Sequence, residues 1–388
     1  MPGYEVMGSE EANQVAEVFL NGGILFRQGF DSLRNGIYKV AEFEQAFAKY
    51  MGVEDALAVT SGTAALRVAL AALRLSPGSE VIIPTFTFVA TAEAVIEAGA
   101  VPVCVEVDAT LNMDPQALAD AIGQRTAAVI AVHMLGTPAR LREIEKICST
   151  ADIPLIEDAA WGCGGSLDDR KLGTWGRMGT YSFDFAKTIT TGEGGMIVFS
   201  NKKDADAARA WHDHGHDNNP RVPRWEDTRS SSGFNFRMME LQGAVGLAQL
   251  EKLDSIIAAQ RSVHSDTWKA LSSIGGLVLR GEPAGSFSTC DSLTFQVGDS
   301  TTAKRVRDAL IRAGSSTKIL PEAVTWHFAA HWTHMPTLVN QHPNGLRGAF
   351  PNSEKFLSQS VSLPISVKGS GLPLDIVREV VAEAMIST

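Results

Sequence analysis

The sequence predicts an α/β protein: a mainly parallel sheet covered by helices on both faces, followed by a smaller α+β unit. Three observations predict it. Short apolar runs alternate with helix-length amphipathic runs from about residue 55 onward. Polar and acidic residues fall just beyond the apolar runs, where the carboxyl ends of parallel strands gather binding groups. The alternation stops after a long helical stretch, and the chain of 388 residues exceeds what one compact core usually holds.

Taken in order, Leu57–Thr60 reads as a strand and Gly62–Leu75 as a helix. Strands at Glu80–Ile83, Val101–Val107, Ala127–Val132 and Pro154–Ile156 are separated by helices at Thr91–Glu97, Pro115–Ile122 and Pro138–Cys148. Tyr181–Phe185 and Met196–Phe199 are strands on either side of a lysine and a glycine-rich turn. Met238–Leu271 is a long helical stretch interrupted only by Gly243 and Gly246. Beyond it, Val278–Arg280 and Leu293–Val297 read as strands, with helices at Thr302–Ala313 and Pro373–Met385. The expected division is a large domain over residues 1–260 and a small domain over 261–388. The charged segment Asn218–Ser232 reads as an exposed loop.

Composition narrows the function. The net charge is −10 with no lysine or arginine run, which argues against a nucleic-acid partner. No apolar run is long enough to span a bilayer. The N-terminal MPGYEVMGSEEANQ has neither the basic nor the apolar region of a signal peptide. Cys104, Cys148, Cys163 and Cys290 form no CxxC pair, so a reduced cytoplasmic setting is expected.

Three motifs carry chemistry. In TSGTAAL (60–66) a strand ends, a Ser-Gly-Thr turn follows and a helix begins, which suits a phosphate or a plain helix cap. In PLIEDAAWGCGG (154–165) two acids follow a buried strand; a ligand contact and a capping role are both open. In SFDFAKTITTGEGGM (182–196) Lys187 stands at a strand end beside a Gly-Glu-Gly-Gly turn. Together, a phosphate turn, a strand-end acid and a strand-end lysine meet the needs of pyridoxal phosphate. Phe86 and Phe88 in PTFTFVAT (84–91) offer rings to stack on it.

With AVHMLG, EVIIPTFTFVATAEAV and GFNFRMMELQGAVGLAQL, these motifs cover nearly the whole chain, and the sequence resembles the DegT/DnrJ/StrS-type pyridoxal-phosphate-dependent sugar aminotransferases. The resemblance implies the fold-type I architecture and a homodimer with shared active sites. It implies that Lys187 is the Schiff-base lysine and proton carrier and that Asp158 pairs with the pyridine nitrogen. Gly62, Thr63, Ala64 and Ser182 would hold the phosphate, Phe88 would stack on the ring, and Asn235 would reach the partner subunit's cofactor. His133 would lie near the cofactor. Dehydrating relatives carry histidine at the lysine position, so Lys187 implies amination, with glutamate or glutamine as donor.

Two departures from the family pattern bear on substrate. Trp161 stands where relatives often have glutamine, close to the ring; an altered pocket and simple packing are both open. The stretch ILFRQGFDSLRNGIYKVAEFEQAF (24–47) is longer than usual and adds Arg27, Arg34 and Lys39, so residues 1–50 are expected to line the substrate pocket with charge suited to an anion. This stretch, SFDFAKTIT and DHGHDNNP (213–220) are most similar to the subgroup that aminates an 8-keto-3,8-dideoxy-octulosonate, a Kdo-type acid of lipopolysaccharide. His214 is then a further substrate-pocket candidate. A nucleotide-linked 4-keto-6-deoxy sugar or a cyclitol ketone is the alternative acceptor. A pyridoxal phosphate lyase or dehydratase and a non-catalytic regulator are the alternative classes.

The remaining histidines read blandly. His212, His214 and His216 alternate, but their spacing is not that of a closed zinc site, and no metal is expected. WHFAAHWTH (326–334) has helical spacing and reads as a packing helix or a dimer surface.

Overall fold

The computed structural model describes residues 2–219, 221–321, 324–369 and 371–386. Seven strands form the central sheet: β1 (Asp55–Val59), β2 (Glu80–Pro84), β3 (Val101–Val105), β4 (Thr126–Val132), β5 (Leu155–Asp158), β6 (Met178–Ser182) and β7 (Gly195–Phe199). Their order is β1-β7-β6-β5-β4-β2-β3. The pairs from β3 through β6 are parallel, and β7 runs antiparallel to both β6 and β1. Both faces are covered. Val81 and Ile83 pack into one core and Ile82 into another; Ile197 likewise parts from Met196 and Val198. That alternation is the period of two expected of a strand buried on both sides.

The strands, the early helices and the C-terminal helix (Leu374–Ile386) lie where the sequence predicts, within a few residues. Helices at Ser9–Leu20, Lys39–Met51 and Lys202–Trp211 were not expected. The long helix is unbroken from Glu240 to Leu271. Its glycines serve close packing instead: a Cβ on Gly243 would meet Val40 N at 2.6 Å, and one on Gly246 would meet Phe43 Cε1 at 2.5 Å. The helix at Lys39–Met51 therefore lies directly against it.

A second sheet, of antiparallel strands β8 (Val278–Leu279), β9 (Ser292–Gln296) and β10 (Ser360–Pro364), has its own core with Leu271, Val306, Leu310 and Val381. The expected boundary at residue 260 falls inside the long helix. Part of the C-terminal half belongs with the large domain: Ile319, Phe328, Trp332, Leu338 and Phe350 pack into the core that holds β1 and β2. Among the described residues no helix is long and apolar enough to cross a membrane.

Candidate active site

The carboxyl ends of β1, β2, β4, β5 and β6 share one edge of the sheet, and a cavity of about 380 Å³ lies there. It is lined by Ser61, Gly62 and Thr63 after β1, Phe88 and Thr91 after β2, Asp158 at the end of β5 with Trp161 beyond it, and Ser182 at the end of β6 with Lys187 beyond it.

The turn after β1 leaves backbone donors open. Ser61 caps the helix Gly62–Ala72, its Oγ accepting from Ala64 N at 3.0 Å. The amides of Gly62 and Thr63 have no internal partner among the described residues, as the first turn of a helix dictates. Ala64, expected among the phosphate donors, is spoken for by Ser61. Two glycines bring the pieces together. A Cβ on Gly62 would meet Ser182 Cβ at 2.7 Å, and one on Gly195 would meet Ser61 O at 2.3 Å. The glycine-rich turn after Lys187 thus lets β7 pass against the Ser61–Gly62 backbone.

The two acids of β5 divide the labour because adjacent side chains on a strand point to opposite faces. Glu157 is fully buried and accepts from Gly173 N (2.8 Å), Gly176 N (2.7 Å) and His133 Nε2 (3.0 Å). Asp158 faces the cavity, accepting from Ala160 N (3.1 Å) and Thr91 Oγ1 (3.2 Å). Burial raises its pKa, against the pull of those bonds and of Lys187.

Lys187 is held by a turn in which its N–H donates to Asp184 O at 3.0 Å. Its ammonium lies 3.4 Å from the centroid of the Trp161 ring, and Lys318 Nζ lies 4.9 Å from the same centroid. Burial lowers the Lys187 pKa to about 8, with Asp158 opposing the shift. Both members of the Asp158–Lys187 pair are thus displaced toward neutrality, because burial outweighs their mutual attraction. A lysine that is partly neutral near physiological pH can act as a nucleophile. Acetic anhydride labelling of Lys187 in cofactor-free protein should rise with pH to a midpoint near 8; a midpoint at the ordinary 10.5 would contradict the burial argument.

Several expected contacts lie elsewhere. His133 is fully buried, with Nδ1 accepting from Ala139 N at 3.1 Å and Nε2 turned to Glu157, so it holds the strand end instead of meeting substrate. The basic insertion turns inward. Arg27 donates to Glu44 (2.8 Å) and Ala58 O (3.2 Å) and contacts His212, whose pKa burial lowers to about 3. Lys39 pairs with Glu17 and Glu42. Arg34 is 1% exposed, donates to Ile37 O and Gly29 O, and lies 3.1 Å from Glu240. These three cations fix the N-terminal segment to the helices at Lys39–Met51 and Glu240–Leu271, and none of them lines the cavity. Arg34→Gln should cost about 3 kcal/mol of stability, because it strands Glu240 in the core. Urea unfolding would show it; a raised KM with unchanged stability would restore the pocket role.

His214 is exposed and also lies outside the cavity. His212 and His216 bond to different partners, Arg209 O and Asp227, and no metal-binding group occurs among the described residues. Asn235 is exposed, its Oδ1 accepting from Arg237 N at 3.3 Å, and it does not line its own chain's cavity. His327 lines the cavity unannounced, its ring 5.4 Å from that of Phe88. The helical spacing of WHFAAHWTH hid it: the helix stops at His327 and Phe328 is extended. Lys318 was missed because only the tertiary fold brings it to Trp161.

A mainly parallel sheet whose strand ends unite a lysine, a buried acid and an open helix N-terminus defines a pyridoxal phosphate enzyme of the aminotransferase fold. The chain belongs to the DegT/DnrJ/EryC1/StrS aminotransferase family, whose profile matches residues 26–383. It is 39% identical to the GDP-perosamine synthase of Caulobacter vibrioides over 242 residues, 62% of this chain and 64% of that protein, just under two thirds of its length. It is 36% identical to the 3-amino-5-hydroxybenzoate synthase of Amycolatopsis mediterranei over 289 residues, 72% and 73% of the two chains. The crystal structure of DesV from S. venezuelae superposes with a TM-score of 0.84 at 27% identity, covering 99% of this chain and 96% of that one.

Proposed function

We propose that this protein transfers an amino group from glutamate or glutamine to the ketone of a sugar, with pyridoxal phosphate held by Lys187. The observation that carries the reading is the Asp158–Lys187 pair, set across one cavity from the open Gly62 and Thr63 amides of a helix N-terminus. The residues fit the cofactor. The amides of Gly62 and Thr63 with Ser182 would hold its phosphate, Asp158 its ring nitrogen, and Phe88 and Trp161 its ring. The bound cofactor supplies an electron sink. Asp158 keeps the ring nitrogen charged, and Lys187 carries the proton exchanged during transfer.

The acceptor favoured by the relatives is a nucleotide-linked keto sugar, since perosamine synthases are named among them. The insertion argument for an 8-keto-3,8-dideoxy-octulosonate loses its force, because Arg27, Arg34 and Lys39 are paired within the chain. Lys318, beside Trp161, is likewise paired, with Asp291 at 2.6 Å. The exposed position of Asn235, with Phe234 59% and Met239 40% exposed around it, supports a homodimer in which Asn235 serves the partner's cofactor.

The test is the absorption spectrum of the purified protein before and after L-glutamate, followed by both keto sugars. Loss of the lysine-bound cofactor band with glutamate, and its return with one ketone, is the expected result. A band indifferent to every amino donor would favour a lyase or dehydratase; no band after adding pyridoxal phosphate would overturn the reading.

A further inference from the structure

Behind the active site, at the seam of the two domains, a second small cavity holds a buried guanidinium. Arg280 follows β8 in the small domain and is 7% exposed. It reaches into the large domain, where Nε donates to Thr110 O at 2.6 Å and Nη1 to Met134 O at 2.8 Å. Both partners are backbone carbonyls. Nη2 has no hydrogen-bond partner among the described residues, nor has the 2% exposed hydroxyl of Ser288, and both residues line the cavity. The cavity has room for about one occupant of the size of a water molecule.

The charges nearby do not neutralise this group. No carboxylate among the described residues makes an ion pair with Arg280. The acids that act on it from farther away are Glu282, Asp108 and Asp291. Asp108 is bound to Thr110 and Arg140, and Asp291 to Lys318 at 2.6 Å. Glu282 is exposed at the rim. His264 and Cys290 in the wall are held neutral by burial, at about 4 and about 12. Arg261 adds a second positive charge, donating to Ser288 O at 2.9 Å. A buried guanidinium with no carboxylate at ion-pair distance, and with a free N–H beside a free hydroxyl, is an anion receptor.

We propose that Arg280 and Ser288 bind a single small monovalent anion of halide type, which joins the small domain to the loop at Met134. That loop sets the position of the site: His133, one residue before Met134, donates its backbone N–H to Asp158 O at 3.1 Å. The anion therefore acts on the stability of the seam.

The experiment uses the holoenzyme, so that the phosphate turn is filled. Sodium chloride replaces sodium gluconate at constant ionic strength while Tm is followed, and crystals are soaked in sodium bromide for an anomalous map. The expected result is a saturable rise in Tm with chloride, and a bromide peak within hydrogen-bond distance of Arg280. Ser288→Ala should raise the half-saturating chloride concentration several-fold. Glu282→Gln should lower it, by removing the competing acid at the rim. Arg280→Met should abolish the response; if that variant does not fold, the Ser288 variant and the bromide map decide. Equal Tm in both salts, or a bromide map with no peak in this cavity, would mean that water alone occupies it and would overturn the proposal. Neither readout depends on transamination, so failure of the proposed activity would leave this test intact.

Discussion

Lys187→Ala should lower kcat by at least about 10⁴-fold, the upper end of what one positioned acid–base group contributes. The effect is this large because, on the proposed function, the same amine would do two jobs: it would anchor the cofactor, and it would move the proton between substrate carbon and cofactor in each half-reaction. Among the described residues no other amine lines the cavity: its remaining titratable groups are the acids Asp158, Asp184 and Glu193 and the imidazole of His327. Lys187→Arg would keep the cation over Trp161 but would not titrate near pH 8, so it should be as inactive as the alanine variant. Small alkylamines should restore part of the Lys187→Ala activity, with a dependence that follows the amine's basicity. That rescue separates a lost proton carrier from a collapsed pocket. Wild-type turnover in either variant would remove Lys187 from the chemistry.

What the sequence revealed follows from which interactions are local. Helix and strand periods are local, so the parallel strands β2 to β6 and the placement of Lys187 and Asp158 near strand ends were legible. The turn that opens the helix at Gly62 was legible because Ser-Gly-Thr before a helix is a local signal. The fate of charges was not. Arg27, Arg34 and Lys39 lie in one stretch of sequence, but their partners Glu44, Glu17 and Glu240 are set by packing, in one case two hundred residues away. From composition alone, a cation that seals a core and one that meets a substrate look the same. His327 failed in the opposite way: a local pattern of helical spacing was present, but the fold broke the helix at that residue and turned it to the cavity. The extent of the small domain failed similarly. Phe328, Trp332 and Phe350 follow small-domain elements in the chain yet fill the large-domain core.

Asp158→Asn should lower kcat by on the order of 10²–10³-fold, the scale of losing one preorganised charge that stabilises a developing one. It should do so without harming the fold. The amide oxygen of Asn can still accept from Ala160 N or Thr91 Oγ1, the two bonds that fix the carboxyl. The pH argument goes further. Burial raises the Asp158 pKa in the folded protein above its unfolded value. An ionised buried acid of this kind costs folding free energy at every pH above the unfolded carboxyl range, and the cost disappears as pH falls below that range. Asparagine removes the cost, so cofactor-free Asp158→Asn at pH 7 should melt no lower than the cofactor-free wild type. On the proposed function a bound cofactor would reverse the balance, because a protonated ring nitrogen would give the carboxylate its counter-charge. The rise in Tm on adding pyridoxal phosphate should therefore be smaller in the variant. The two shifts together separate the roles open to a strand-end acid. A cofactor-free variant that melts well below wild type would make Asp158 a structural cap, whereas an unchanged cofactor-induced shift would take it away from the ring nitrogen.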